Sequence, residues 1–130
     1  MIKIAVAGAG AIGATVCRAL IDGIDGFELV GASTLDEALS KKLIDRPVAV
    51  PFLPLAELVT KADWIVEALP AAAVPELAKL TSAQGKTLVM ISAAALLLYP
   101  EIRALKGGRI LVPSGDRKST RLNSSHTIQS

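Results

Sequence analysis

The sequence predicts an α/β domain built on a doubly wound parallel sheet. Three observations carry that expectation. Strand and helix signals alternate along residues 1–115. The composition is 52% hydrophobic but only 3% aromatic, so the core must be Ala, Val, Leu and Ile. Those are the side chains that buried parallel strands and their covering helices use. Finally, GAGAIG sets Gly8, Gly10 and Gly13 in G-x-G-x-x-G spacing at the first strand-to-helix junction. At 130 residues the chain is long enough for one domain with a real core.

Residues 2–7, IKIAVA, form an apolar run broken only by Lys3 and read as a buried strand. Residues 11–22 have helical spacing, with Ile12, Val16, Ala19 and Leu20 on one face and Gly23 and Gly26 beyond the end. Residues 27–32 are a second strand. Thr34 and Glu37 match the S/T-x-x-E capping box, which starts a helix running to about Leu43. Residues 47–52 are bounded by prolines, so any strand there lies at an edge. Residues 55–61 read as a short helix. Residues 63–68 contain Trp64, Ile65 and Val66 and form a buried strand. Pro75 suits the first turn of a helix reaching Ala83. Residues 86–91 are the next strand. Residues 96–105 read as a helix that Pro100 kinks or delays. Gly107 and Gly108 precede a last strand at 109–112. Six strands in two halves make the Rossmann arrangement, with expected order 3-2-1-4-5-6.

Residues 116–130, DRKSTRLNSSHTIQS, break the pattern. Six of the fifteen are Ser or Thr, and no hydrophobic period is present, so disorder is expected there. Arg117, Lys118 and Arg121 outnumber Asp116, which accounts for the net charge of +2 of the whole chain. Residues 1–115 are charge-balanced. Nucleic-acid binding is therefore not expected: the surplus cations sit in a solvated end without a basic helix or aromatic platform. DRKSTRLNSSH reads like a translated sequencing-library adapter. The expectation is a domain at 1–115, with natural sequence ending near Gly115, and a non-native segment at 116–130. The sole histidine, His126, falls in that segment and is not counted as a catalytic base. No apolar run reaches the ~18 residues of a membrane span, and no signal-peptide pattern is visible, so a cytoplasmic protein is expected. The one cysteine, Cys17, excludes an intrachain disulfide and reads as a small buried hydrophobe.

The glycine motif needs a strand before it and a helix after it, and both are expected. Gly8 would allow the tight turn, Gly10 would leave room for a pyrophosphate, and Gly13 would let the helix pack closely. With Ala11 and Ile12 they would present backbone N–H groups at the positive end of the helix. Where NAD sites usually end their second strand with an acid, this chain reads Gly31-Ala32-Ser33-Thr34. Ser33 and Thr34 could bond a ribose hydroxyl or a 2′-phosphate. Without the acid, the expectation is NAD or NADP, with dual or NADP-leaning use. Ala68, Leu69 and Pro70 follow the fourth strand and would line the crevice. Glu67 would either contact the nicotinamide ribose or substrate, or pack at the strand end. Ser92 after the fifth strand, and Ser114 and Gly115 after the sixth, occupy the equivalent edge as donors near the nicotinamide or as plain turn residues. No catalytic residue and no metal ligand is assigned.

Residues 1–115 resemble the N-terminal domain of bacterial L-aspartate dehydrogenases. KIAVAGAGAIG, ADWIVEALPAAAVPELA, GKTLVMISAAALL and GGRILVPSG carry the resemblance. It implies oxidative deamination of L-aspartate to iminoaspartate with NAD or NADP, in support of pyridine-nucleotide synthesis. It also implies a homodimer and a second domain that brings the catalytic histidine and most contacts to L-aspartate. Two departures stand out. Asp116 follows P-S-G where the family has a small residue, and Ser92-Ala93-Ala94-Ala95-Leu96 replaces S-x-G-A-L. Homoserine dehydrogenase and dihydrodipicolinate reductase share the general plan, and a non-enzymatic nucleotide-sensing domain is the alternative outside enzymes.

Overall fold

The computed structural model describes residues 1–92 and 94–113. Five parallel strands form one sheet: β1 (Ile2–Ala7), β2 (Phe27–Ser33), β3 (Trp64–Glu67), β4 (Thr87–Met90) and β5 (Arg109–Leu111), in the order β2-β1-β3-β4-β5. Five α-helices connect them: α1 (Ala11–Asp22), α2 (Glu37–Ile44), α3 (Leu55–Lys61), α4 (Val74–Ala83) and α5 (Ala94–Leu98). Chain direction reverses its march across the sheet after β2, so β1 and β3 sit at the centre with their carboxyl ends side by side. That is the switch point where such sheets bind ligands.

Alternation along the strands divides the core in two. Ile4 and Val6 of β1, Ala32 of β2 and Val66 of β3 face α1 and α2, where Ala14, Cys17, Leu20 and Ile44 complete one cluster. Ala5, Ala7, Ile65, Leu88 and Met90 face the other way, against Leu58 and Val59 of α3, Leu77 of α4 and Leu96 of α5. Two of the four large aromatics, Phe27 and Trp64, meet edge to face at 5.4 Å. Helices cover both faces, as the aliphatic composition requires.

Four expectations are corrected. The third of the six expected strands, the edge strand at 47–52, is reduced to one parallel bridge from Phe52 to Ala32. Ala32 N–H donates to Pro51 O at 3.1 Å, and Leu53 N–H to Ala32 O at 2.8 Å. Pro47, Pro51 and Pro54 lack donors, so the pairing stops there. The capping box at Thr34 is not formed; Asp36 caps α2, accepting from Leu39 N–H at 3.1 Å. The buried stripe of α1 is Gly13, Ala14, Cys17 and Leu20, while Ile12 is 59% exposed and Ala19 also faces outward. Gly13 must face the preceding turn, which rotates the helix away from the stripe hydrophobicity alone suggests. Finally, the helix expected at 96–105 is two pieces, α5 and a 3-10 turn at Pro100–Ala104. Pro100 cannot continue the first and starts the second.

Candidate functional site

β1 leaves the core at Ala7 and turns sharply through Gly8-Ala9-Gly10 into α1. Gly8 has φ +94°, a conformation that side chains rarely adopt. A Cβ there would also lie 2.6 Å from Ala68 O, in the exit of β3. Gly13 is tighter still: its Cβ would meet Gly8 O at 1.9 Å. Gly10 is the opposite case. It is the N-cap residue of α1, and a Cβ on it would find no atom within 4 Å. Gly8 and Gly13 are demanded by the chain's own packing, whereas Gly10 leaves open space beside the helix terminus.

That terminus suits an anion. No side chain caps α1, and no acid lies in its first turn. The N–H groups of its first residues are therefore left for water or a ligand, with the helix dipole behind them.

Ser33, at the end of β2, holds the turn from one side. Gly8 N–H donates to Ser33 Oγ at 2.9 Å, and Ala9 N–H to Ser33 O at 2.8 Å. From the other side, Ser40 Oγ donates to Ala9 O at 2.6 Å and lies 2.5 Å from Thr34 Oγ1. Because the Ser40 hydrogen points at Ala9 O, the Thr34 hydroxyl is the donor in that short pair. Asp36 N–H donates to Thr34 Oγ1 at 3.2 Å. Both hydroxyls proposed for the ribose are therefore part of the scaffold: Ser33 as an acceptor, Thr34 with its one hydrogen committed.

Across the switch point, Glu67 is fully buried at the end of β3. Its Oε2 accepts from Leu69 N–H and its Oε1 from Ser92 N–H, both at 2.8 Å. The carboxylate thus brackets the loops after β3 and β4 together, and Ser92 Oγ donates to Leu69 O at 3.3 Å in the same bracket. Ser92 stands behind Leu69 and does not line the groove. Ser114 and Gly115 lie outside the described residues.

The turn opens into a groove of about 990 Å³, lined by Gly8, Gly10, Ala11, Ile12, Ser33, Thr34, Ala68, Leu69 and Pro70. That volume is at the upper end of the roughly 300–1,000 Å³ usual for small-molecule sites. Gly13 stands behind it. The groove also takes in Leu35, Leu39 and the run Phe52-Leu53-Pro54-Leu55, which the sequence reading did not single out. Leu35 is wholly exposed and Leu39 is 50% exposed, so the groove offers an apolar floor to a flat group. The signal for Phe52 to Leu55 is local: Phe52 ends the proline-bounded run at 47–52 and Leu55 opens the helix at 55–61, and neither pattern points to a ligand. The charged residues along the lining are Asp36 and Glu37; Glu37 is paired with Lys41 at 2.9 Å. Among the described residues no cluster of His, Cys, Asp and Glu could hold a metal ion, and no helix is long and apolar enough to cross a membrane.

Residues 8–113 match the model of the homoserine dehydrogenase NAD-binding domain. The chain is 38% identical over 117 residues to L-aspartate dehydrogenase 3 of Bordetella bronchiseptica, covering 86% of this chain and 43% of that protein. It is 33% identical over 121 residues to an L-aspartate dehydrogenase of Bradyrhizobium diazoefficiens, covering 88% and 42%. It thus spans less than half the length of these relatives. Among solved structures, the WlbA dehydrogenase of Chromobacterium violaceum, crystallised with NADH and UDP-GlcNAcA, superposes with a TM-score of 0.67 at 20% identity, over 85% of this chain and 34% of that one. That likeness concerns the fold.

Proposed function

The chain belongs to the family of the homoserine dehydrogenase NAD-binding domain, and on that footing we propose that it is the cofactor-binding part of an NAD(P)-dependent L-aspartate dehydrogenase. The observation that carries the reading is the uncapped start of α1 beside Gly10, opening into a groove of dinucleotide size. The two relatives named L-aspartate dehydrogenase supply the substrate. In this reading residues 1–115 are the nucleotide domain. The parent acts in the cytoplasm as a homodimer, converts L-aspartate to iminoaspartate, and feeds pyridine-nucleotide synthesis.

The residues fit the cofactor. Backbone N–H groups of Ala11, Ile12 and Gly13 would hold the pyrophosphate, and Gly10 would let it approach. Leu35, Leu39 and Phe52 would pack against the adenine, and the Ala68-Leu69-Pro70 turn would flank the nicotinamide half. The bound nicotinamide would take a hydride from the amine-bearing carbon of the substrate. This chain's own part is to bind, orient and exclude water.

Either NAD or NADP would fit this groove. A lean toward NADP needs free hydroxyls at Ser33 and Thr34 and no acid beside them. Asp36 and Glu37 border the groove, no cation among the described residues lines it, and Thr34 has no hydrogen left to donate. The Asp36 carboxylate and the Lys41-paired Glu37 leave a net negative charge there, which opposes a dianionic 2′-phosphate, so the lean we propose is toward NAD, with NADP retained. Calorimetric titration of both dinucleotides into the 130-residue chain tests this. Binding of neither would sink the cofactor reading. A preference beyond about a hundredfold, ~2.7 kcal/mol, would sink dual use.

A further inference from the structure

We infer that Ser40 is a positioning residue for the dinucleotide: it locks the glycine turn from behind and ties it to the loop after β2. The inference rests on the cofactor reading above. A serine inside a helix ordinarily points to solvent or bonds the carbonyl four residues back. Ser40 does neither. It is 2% exposed, and its hydroxyl leaves α2 to reach Ala9 O, 31 positions away in sequence, at 2.6 Å. Behind it Thr34 donates at 2.5 Å, and Asp36 N–H donates to Thr34 in turn. The hydrogens therefore run one way, from Asp36 N–H through Thr34 and Ser40 to the carbonyl of Ala9. Each bond in such a chain polarises the next.

Ala9 sits between Gly8 and Gly10, the two residues with the least conformational restraint in the turn. Its N–H is held by Ser33 O and its carbonyl by Ser40 Oγ, so the peptide planes that aim the start of α1 are fixed from both sides. Glycine supplies the shape of the turn, and hydroxyls on two other elements supply its rigidity. The same relay starts at Asp36, which lines the groove beside Thr34. Contact with the adenosine end is thereby coupled to the order of the pyrophosphate end.

The test compares Ser40→Ala, Thr34→Val and Thr34→Ser with the unmodified chain. Alanine is the better helix former, so Ser40→Ala leaves α2 intact while removing the lock. The expected result is a loss of roughly tenfold in affinity for ADP-ribose, against less than about twofold for adenosine, which has no pyrophosphate. Thr34→Val should lose a few-fold, Thr34→Ser should match the parent chain, and the double variant Thr34→Val/Ser40→Ala should lose no more than Ser40→Ala alone. In the ligand-free chain, NMR order parameters of the Gly8–Gly10 amides should fall in Ser40→Ala and hold in Thr34→Ser. Unchanged order there, additive losses, or equal losses for adenosine and ADP-ribose would overturn the inference. If Ser40→Ala does not fold, the Thr34→Val and Thr34→Ser pair carries the same comparison. Ordered turn amides that loosen as expected in a chain that binds no ADP-ribose would leave the lock standing and overturn the cofactor reading.

Discussion

A methyl group at residue 10 would touch nothing, and one at residue 13 would overlap a carbonyl oxygen. Three glycines with the same spacing signal thus make separable demands. Gly10→Ala, at φ −81°, is sterically free in the unliganded chain, so stability should change by less than about 0.5 kcal/mol. Dinucleotide affinity should nevertheless fall at least tenfold, because the methyl fills the space the pyrophosphate needs. Gly13→Ala should instead unfold or loosen the domain by about 3 kcal/mol or more, since Gly8 O stands 1.9 Å from the new carbon. Thermal melts set beside titrations separate the two. Cys17 shows residue-scale physics of another kind. Burial pushes its thiol from 9.0 up to about 11. The unfolded chain releases that proton first, so between those pH values the unfolded state binds fewer protons and stability falls as pH rises. Urea midpoints should drop from pH 8 to pH 10.5, and Cys17→Ala should drop less. In the native state at pH 8 the thiol should resist a disulfide reagent that labels it at once in urea.

Elements were legible wherever local pattern and tertiary demand agreed. β1 and α1 fall where the apolar run and the glycines put them, and α3 where its spacing puts it. The departures share a cause: a long-range partner outbid a local signal. Thr34 has the right sequence to cap α2, but its hydroxyl is claimed by Ser40, and Asp36, two residues on, takes the cap. The residues at 47–52 have strand-like side chains, but the prolines strip the donors that a ladder needs. The face of α1 is set by Gly13 against Gly8 O, a contact invisible to any hydrophobic period. In the site, the glycine turn was readable from spacing. The apolar floor of Leu35, Leu39 and Phe52 to Leu55 was not, because it assembles from the segment after β2 and the start of α2 together with the stretch leading into α3, which the Phe52 bridge ties to β2. The cap has its own test. Asp36→Ala should lower stability by about 1 kcal/mol through the lost bond to Leu39 N–H. It should also narrow any preference for NAD over NADP, since it removes one of two carboxylates from the groove. Asp36→Asn keeps a capping oxygen without the charge, so it should shift the preference and spare the stability.

At the scale of the whole molecule, the sheet brings the glycine turn and a neutral edge together, and no described residue stands at either as a free base. Glu67 is the acid at the centre of the switch point, and both its oxygens are held by backbone N–H groups of Leu69 and Ser92. It is enclosed, so it cannot reach a substrate without leaving two donors unpaired in the interior. Asp36 and Glu37 border the groove, but at the end beside β2, away from the exits of β3 and β4. Residues 1–115 contain no histidine. Oxidation of an amine needs the substrate held against the nicotinamide and a group placed to take its proton. Neither is found among the described residues, and the relatives named for that activity are more than twice as long as the stretch matched here. The purified 130-residue chain should therefore bind dinucleotide and yet produce no reduced nicotinamide from L-aspartate, followed by absorbance at saturating cofactor. Turnover above the protein-free background would mean that these residues hold a base and a substrate pocket of their own, and it would overturn the division of labour proposed for the domain.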